Sequence, residues 1–165
     1  MIILGIDPGT ATTGYGLIEA SGNRYKLLDY GCIRTPAHRP LALRLEMIYE
    51  AMNLLLEEKK PDCVAIEELF FNRNTTTAVP VGHARGVLML AAAQKKLPIG
   101  EYTPLQVKQA VVGYGKAEKH QVQYMVAKFL GMQEAPRSDD AADALAIAIC
   151  HAHHAGSWNA QKEGK

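Results

Sequence analysis

A chain of 165 residues, 48% of them hydrophobic, holds enough apolar mass for one compact domain with a full core. Lys+Arg 18 against Asp+Glu 17 leaves a formal charge of +1, which excludes a global cationic field; any nucleic-acid partner must be met by a local basic patch. Cys32, Cys63 and Cys150 are scattered and odd in number with no CxxC, which argues against a disulfide framework or a structural zinc site and for reduced thiols.

Residues 2–6 (IILGI) form a short apolar run that ends at Asp-Pro-Gly, the pattern of a buried strand followed by a turn. Residues 14–20 and 25–34 follow, joined by Ser21-Gly22-Asn23, a hairpin signal. Three strands in so short a span predict an antiparallel meander. From 41 to 60 the apolar positions Leu41, Leu45, Ile48, Met52 and Leu55 recur at helical spacing, and Pro61 stops the helix. Residues 62–67 (DCVAIE) read as a buried strand. A helix is expected over 79–96 with Pro80 in its first turn, then a last strand over 98–103. Helical segments over 104–112, 118–130 and 139–154 complete the chain. This is an α/β layout, a mixed sheet with helices on its faces. The division expected is one domain over 1–155 and a flexible tail over 156–165. No basic leader precedes the first strand and no apolar run spans a bilayer, so a soluble, cytoplasmic protein without a membrane partner is expected.

Four acids stand out: Asp7 and Glu67 where apolar strands run out, and Asp140 with Asp143 one helical turn apart. Carboxylates gathered at buried strand ends repel one another and cost desolvation, a cost that a hard divalent cation such as Mg²⁺ offsets. Alternation puts Asp7 on the face of Ile3 and Gly5, and Glu67 on that of Cys63 and Ala65. If the two strands are parallel neighbours, both acids point into the crevice where open α/β sheets bind ligands. Each element has a plainer alternative. Asp-Pro-Gly is an ordinary turn, Glu67-Glu68 a solvated strand end, and Asp139 or Asp140 a helix cap. Glu68, adjacent to Glu67, alternates to the opposite face, and Asp139 is a further acid beside Asp140. Their conjunction points to metal-assisted chemistry on a phosphate.

Taken together, GIDPGTATTGYG, AIEELFF, GHARG, VKQAVVGYGKAEKHQVQ and DDAADALAIAICH closely resemble the RuvC family of Holliday-junction resolvases, in the family's order from Ile3 to about His154. The resemblance implies a ribonuclease H-like fold with a five-stranded mixed sheet. It implies a homodimeric, Mg²⁺-dependent endonuclease that nicks two opposed strands of a four-way DNA junction symmetrically in recombination and repair, leaving 5′-phosphate and 3′-hydroxyl ends. It assigns the metal-binding and catalytic roles to Asp7, Glu67, Asp140 and Asp143. Two Mg²⁺ ions per site are implied, with Mn²⁺ expected to substitute, and four carboxylates balance their charge. A branch-migration motor complex of the RuvA-RuvB type is implied as a further partner.

Segment 104–128 carries Lys108, Lys116, Lys119 and Lys128 against only Glu118, either a solvated helix surface or a patch that tracks phosphates. By resemblance, Lys108 and Lys119 fall on the family's DNA-contacting lysines; Lys116 sits in a glycine-bearing loop, and Arg73, Arg85 and His83 are further candidates. From the sequence alone, an aromatic pair such as Phe70 and Phe71 is more often core than functional. By resemblance Phe70 stacks on an unpaired base at the junction centre, with Phe71 sharing that role or packing below it. His151, His153 and His154 read as a solvated helix end. Three rivals compete: a nucleotide-binding module with a phosphate loop at GIDPGTATTGYG, an RNA-directed YqgF-type protein, and a non-catalytic junction binder.

Overall fold

The structure, a computed structural model, describes residues 1–69 and 75–163. In chain order the elements are β1 (Ile2–Asp7), β2 (Thr12–Ser21), β3 (Arg24–Arg34), α1 (Leu41–Lys59), β4 (Cys63–Glu67), α2 (Thr75–Gln94), β5 (Ile99–Tyr102), α3 (Pro104–Val112), α4 (Lys119–Phe129) and α5 (Asp139–Glu163). The five strands form one sheet in the order β3-β2-β1-β4-β5. β1, β2 and β3 are the expected antiparallel meander, turning at Gly22 with a φ of 59°. β4 and β5 add to it in parallel.

Alternation along the central strands divides the core in two. Ile3, Cys63 and Ala65 pack on one face with Val107, Val122, Val126, Leu145 and Ile149, beneath α3, α4 and α5. Leu4, Ile6, Val64 and Ile66 pack on the other with Ile48, Met52 and Leu88, beneath α1 and α2. Asp7 and Glu67 continue the first series, so they belong to the α5 side.

The approach of α5 to the sheet depends on missing side chains. Gly5 pairs with Gly16, and Asp7 with Gly14, across β1 and β2. A Cβ on Gly5 would lie 2.0 Å from the Ala144 carbonyl oxygen; one on Gly14 would lie 2.0 Å from that of Asp140. On Gly16 it would run into the Leu145 side chain. The glycines form a trough in which α5 lies almost against the backbone of β1 and β2.

Local signals set the helix starts on this face. Thr103 and Gln106 make a reciprocal capping box ahead of α3: the Gln106 amide donates to Thr103 Oγ1 at 3.2 Å, and the Thr103 amide donates to Gln106 Oε1 at 2.9 Å. Ser138 caps α5, accepting from the Ala141 amide, and its hydroxyl lies 3.0 Å from Cys32 Sγ on β3.

Two boundaries differ from expectation. α2 begins at Thr75, so Pro80 lies inside the helix rather than in its first turn. The ring leaves the Thr76 carbonyl without its helical donor, at a residue exposed to water, which lowers the cost. α5 continues to Glu163, past the helix end at residue 154 expected from the sequence. Among the described residues no helix is long and apolar enough to cross a membrane, and all three cysteines are free thiols.

Candidate active site

Asp7 and Glu67 are the last residues of β1 and β4, whose parallel register runs through Ile3↔Cys63 to Ile6↔Ile66. Adjacent strands lie about 4.8 Å apart, so the two carboxylates leave the same edge on the same face. Asp140 and Asp143 come down on them from the first turns of α5, which the glycine trough admits. Their helix N-terminus directs its positive end toward the acids and partly offsets their charge.

The electrostatics show that the four acids form one cluster. Asp7 is pushed up to about 8 by burial, then by the charges of Glu67, Asp143 and Asp140, against the relief of Lys119. Burial and then Asp143 push Glu67 up to about 7, with Lys108 pulling the other way. Burial also raises Asp143, against the nearby Lys119. Asp7 and Asp143 each interact with the other three acids, and Asp7 is raised the furthest from its ordinary value.

Two of the acids, Glu67 and Asp143, line a cleft of ≈ 220 Å³ together with Lys108, Lys119, Val107 and Val122. Lys119 Nζ sits 3.1 Å from Asp139 Oδ2 and 3.4 Å from Asp143 Oδ2. Burial works to lower its pKa, but the hydrogen bond to Asp139 and the charge of Asp143 outweigh it and hold the ammonium above its ordinary value. Asp139 is exposed and held down by Lys119 and by Gln123, which donates to its Oδ1 at 2.9 Å. Asp139 is thus drawn outward to Lys119 and Gln123. Glu68 is absent from this cleft and lines a neighbouring hollow that Glu67 also borders, with Pro8, Val81 and Arg85.

The donor set fits a hard divalent cation: all oxygen, desolvated and mutually repelling. Among the described residues no three of these side chains already converge as a metal cage. Mutual repulsion opposes convergence, and Lys119 pairs with both Asp143 and Asp139. A cation would have to gather the acids.

Lys108 and Lys119 both lie on the cleft wall, whereas Lys116 is exposed in the turn between α3 and α4. Arg85 has partners within the protein, donating from Nε to the Glu67 carbonyl at 2.9 Å and pairing with Glu101. His83 is exposed on α2. Phe70, Phe71 and Arg73 lie outside the described residues.

His151 and His153 depart from the expected solvated helix end, whereas His154 is exposed. His151 packs into the sheet, its Nδ1 2.9 Å from the Tyr102 hydroxyl and its Nε2 3.3 Å from Cys63 Sγ. His153 sits between the rings of Tyr25 and Phe129, and His154 against Tyr102. Helical periodicity places this stretch of α5 over β4 and β5, which the sequence pattern did not reveal. The glycine trough was likewise missed, although Gly5, Gly14 and Gly16 at period two near Asp7 were its visible signal.

The family model for Crossover junction endodeoxyribonuclease RuvC matches residues 3–151. The chain belongs to the RuvC family. It is 64% identical over 159 residues to Crossover junction endodeoxyribonuclease RuvC of Desulfitobacterium hafniense (strain DSM 10664 / DCB-2), covering 96% of each chain. The corresponding protein of Desulforamulus reducens is 58% identical over 158 residues, 96% of this chain and 97% of that one. Among solved structures, the Thermus thermophilus RuvC in complex with Holliday junction substrate superposes with a TM-score of 0.91 at 38% identity, covering 96% of both chains. The ribonuclease H-like fold expected from the RuvC resemblance is the one found, and membership sets aside the nucleotide-binding and YqgF-type readings.

Proposed function

We propose that this chain is a crossover junction endodeoxyribonuclease, resolving four-way DNA junctions by nicking two opposed strands. The observation that carries the reading is the desolvated, self-repelling cluster of Asp7, Glu67, Asp140 and Asp143, beside two cleft lysines. Two Mg²⁺ ions held by these acids, with Mn²⁺ able to replace them, would supply an activated water and neutralise charge at the departing 3′ oxygen, leaving 5′-phosphate and 3′-hydroxyl ends.

The chain's own groups do the rest. Asp7, where burial and repulsion by the other three acids raise the carboxyl the furthest, would be the central ligand. Asp7 and Glu67, raised to about 8 and about 7, would hold the cations as carboxylates and give up their protons in doing so. Lys108 and Lys119 offer ammonium groups to the scissile phosphate, and Lys116 holds the backbone farther out. Val107, Val122, Ala146 and Ile147 in the cleft lining keep bulk water away, which strengthens each of these interactions. Phe70 and Phe71 are proposed to stack on bases at the junction centre, with Arg73 beside them on the DNA.

A junction with two-fold symmetry is matched by a homodimer that presents two such sites. A branch-migration motor of the RuvA-RuvB type is proposed as the partner that delivers it, in the cytoplasm. The test is cleavage of a synthetic four-way junction with Mg²⁺ or with EDTA, beside a linear duplex and an RNA. Paired, religatable nicks on the junction alone, and with Mg²⁺ alone, are expected. Tight binding without cutting would leave a structural binder, and cleavage of RNA alone would overturn the substrate.

A further inference from the structure

Glu67 stands where its strand loses support. The β1–β4 ladder ends at Ile6↔Ile66, one residue before it. On the other side β5 ends at Tyr102, which pairs with Glu67 and accepts from the Glu68 amide at 2.8 Å. Beyond the ladder, the Glu67 carbonyl is met by a side chain: Arg85, reaching from α2, donates Nε–H to it at 2.9 Å. The same guanidinium pairs with Glu101 on β5. One planar group therefore ties α2, the end of β4 and β5 together.

We propose that Arg85 is a positioning residue for strand cleavage, holding the end of β4 so that the Glu67 carboxylate stays beside Asp7, and that it does not serve as a phosphate contact. The inference rests on the reading of Glu67 as a cleavage-site acid. Three features favour positioning over DNA contact. The Arg85 side chain is 17% exposed, its charge is matched by Glu101, and its Nε–H is committed to a main-chain carbonyl. A phosphate would have to displace a carboxylate from a largely desolvated guanidinium. Only arginine offers donors at two angles from one rigid plane; a lysine ammonium reaches one partner at a time.

The two roles predict opposite behaviour for Glu101. If Arg85 gripped DNA, Glu101→Gln would free it and tighten junction binding. If Arg85 positions Glu67, the same change slackens the tie and slows cutting. The experiment uses the full chain and the variants Arg85→Gln, Arg85→Lys, Glu101→Gln and Glu67→Gln. Junction affinity is read in EDTA, the single-turnover rate at saturating enzyme across a Mg²⁺ titration, and folding by thermal denaturation.

Arg85→Gln is expected to slow cleavage about 10–100-fold and raise the Mg²⁺ half-saturation, as loss of a group supporting a ligand does, with affinity within about twofold. Arg85→Lys should not restore the rate, and Glu101→Gln should slow cleavage in the same direction with affinity unchanged. Weaker binding by Arg85→Gln with a normal rate at saturation, restored by Arg85→Lys, would overturn the proposal. Should Arg85→Gln not fold, Glu101→Gln at its more exposed position decides: a wild-type rate there overturns it equally. The Glu67→Gln arm separates the two levels. If that variant is dead while the Arg85 and Glu101 variants cut normally, the positioning role alone falls; if it cuts normally, the site reading falls and takes this proposal with it.

Discussion

The start and the middle of α5 each carry a cluster of ionisable side chains inside the protein, and they are treated in opposite ways. Near the start, Asp140 and Asp143 face Asp7 and Glu67, and burial plus mutual repulsion drives protons onto Asp7 and Glu67 near neutral pH. Farther along, His151 sits between Tyr102 and Cys63 and His153 between Tyr25 and Phe129, with burial lowering both pKa values so that they stay neutral. A neutral imidazole is at once donor and acceptor, so it can be satisfied by neighbours such as a tyrosine hydroxyl. Grouped carboxylates have no such exit; they must take up protons or find a cation. Burial of titratable groups therefore does not by itself mark a site. The mark is a group whose repulsion the protein leaves unrelieved.

The comparison breaks first at Asp7. Asp7→Asn should abolish junction cleavage while leaving junction binding in place, measured side by side on one substrate. Equal loss of both would remove Asp7 as the central ligand.

The clusters should next impose opposite pH slopes on stability. Raised acids mean that the folded, metal-free protein binds more protons than the unfolded chain between about pH 4 and pH 8. Stability from this end thus falls as pH climbs through that window. Asp7→Asn should be more stable than the wild type at pH 8 without metal, by on the order of a few kcal/mol. Depressed histidines act in reverse: the unfolded chain binds more protons, so their contribution is complete above the ordinary value of 6.5 and is lost as pH falls below it. Urea titrations from pH 5 to pH 9 check both, and a flat profile for the wild type would contradict the cluster.

Gly14→Ala addresses how the acids meet. Its Cβ would collide with the Asp140 carbonyl and force α5 off the sheet. A loss of about 1–3 kcal/mol is expected, together with a fall in cleavage that persists at temperatures where the variant is fully folded. Unchanged cleavage would show that the trough does not set the acids' separation.

The smallest effect belongs to the histidine end. His151→Phe removes the partner of the Tyr102 hydroxyl and should cost about 1–2 kcal/mol in denaturation, with cleavage per folded molecule unchanged.

Much of this was legible along the chain because the signals are local. Alternation set Asp7 with Ile3 and Gly5 and Glu67 with Cys63 and Ala65, leaving only the strand pairing to bring the two acids together; the hairpin signal at Gly22 marked the meander, and the apolar period set α1. Pro80 misled because a proline inside a helix and one in its first turn differ only by upstream residues with no strong start signal. The histidines misled because their polarity suggested water, whereas their surroundings come from β3, β4, β5 and α4. Arg85 lay within a recognisable motif, yet its partners are 18 and 16 residues away.

By itself the sequence determined the element order, the strand faces and the identity of the four acids, since side-chain period and residue chemistry are properties of short segments. Tertiary structure decided which of those acids meet, how closely α5 descends into the glycine trough, and which charges are relieved. Those outcomes depend on backbone approach and desolvation between segments far apart in the chain, and no local pattern encodes the distance between two surfaces that have yet to pack.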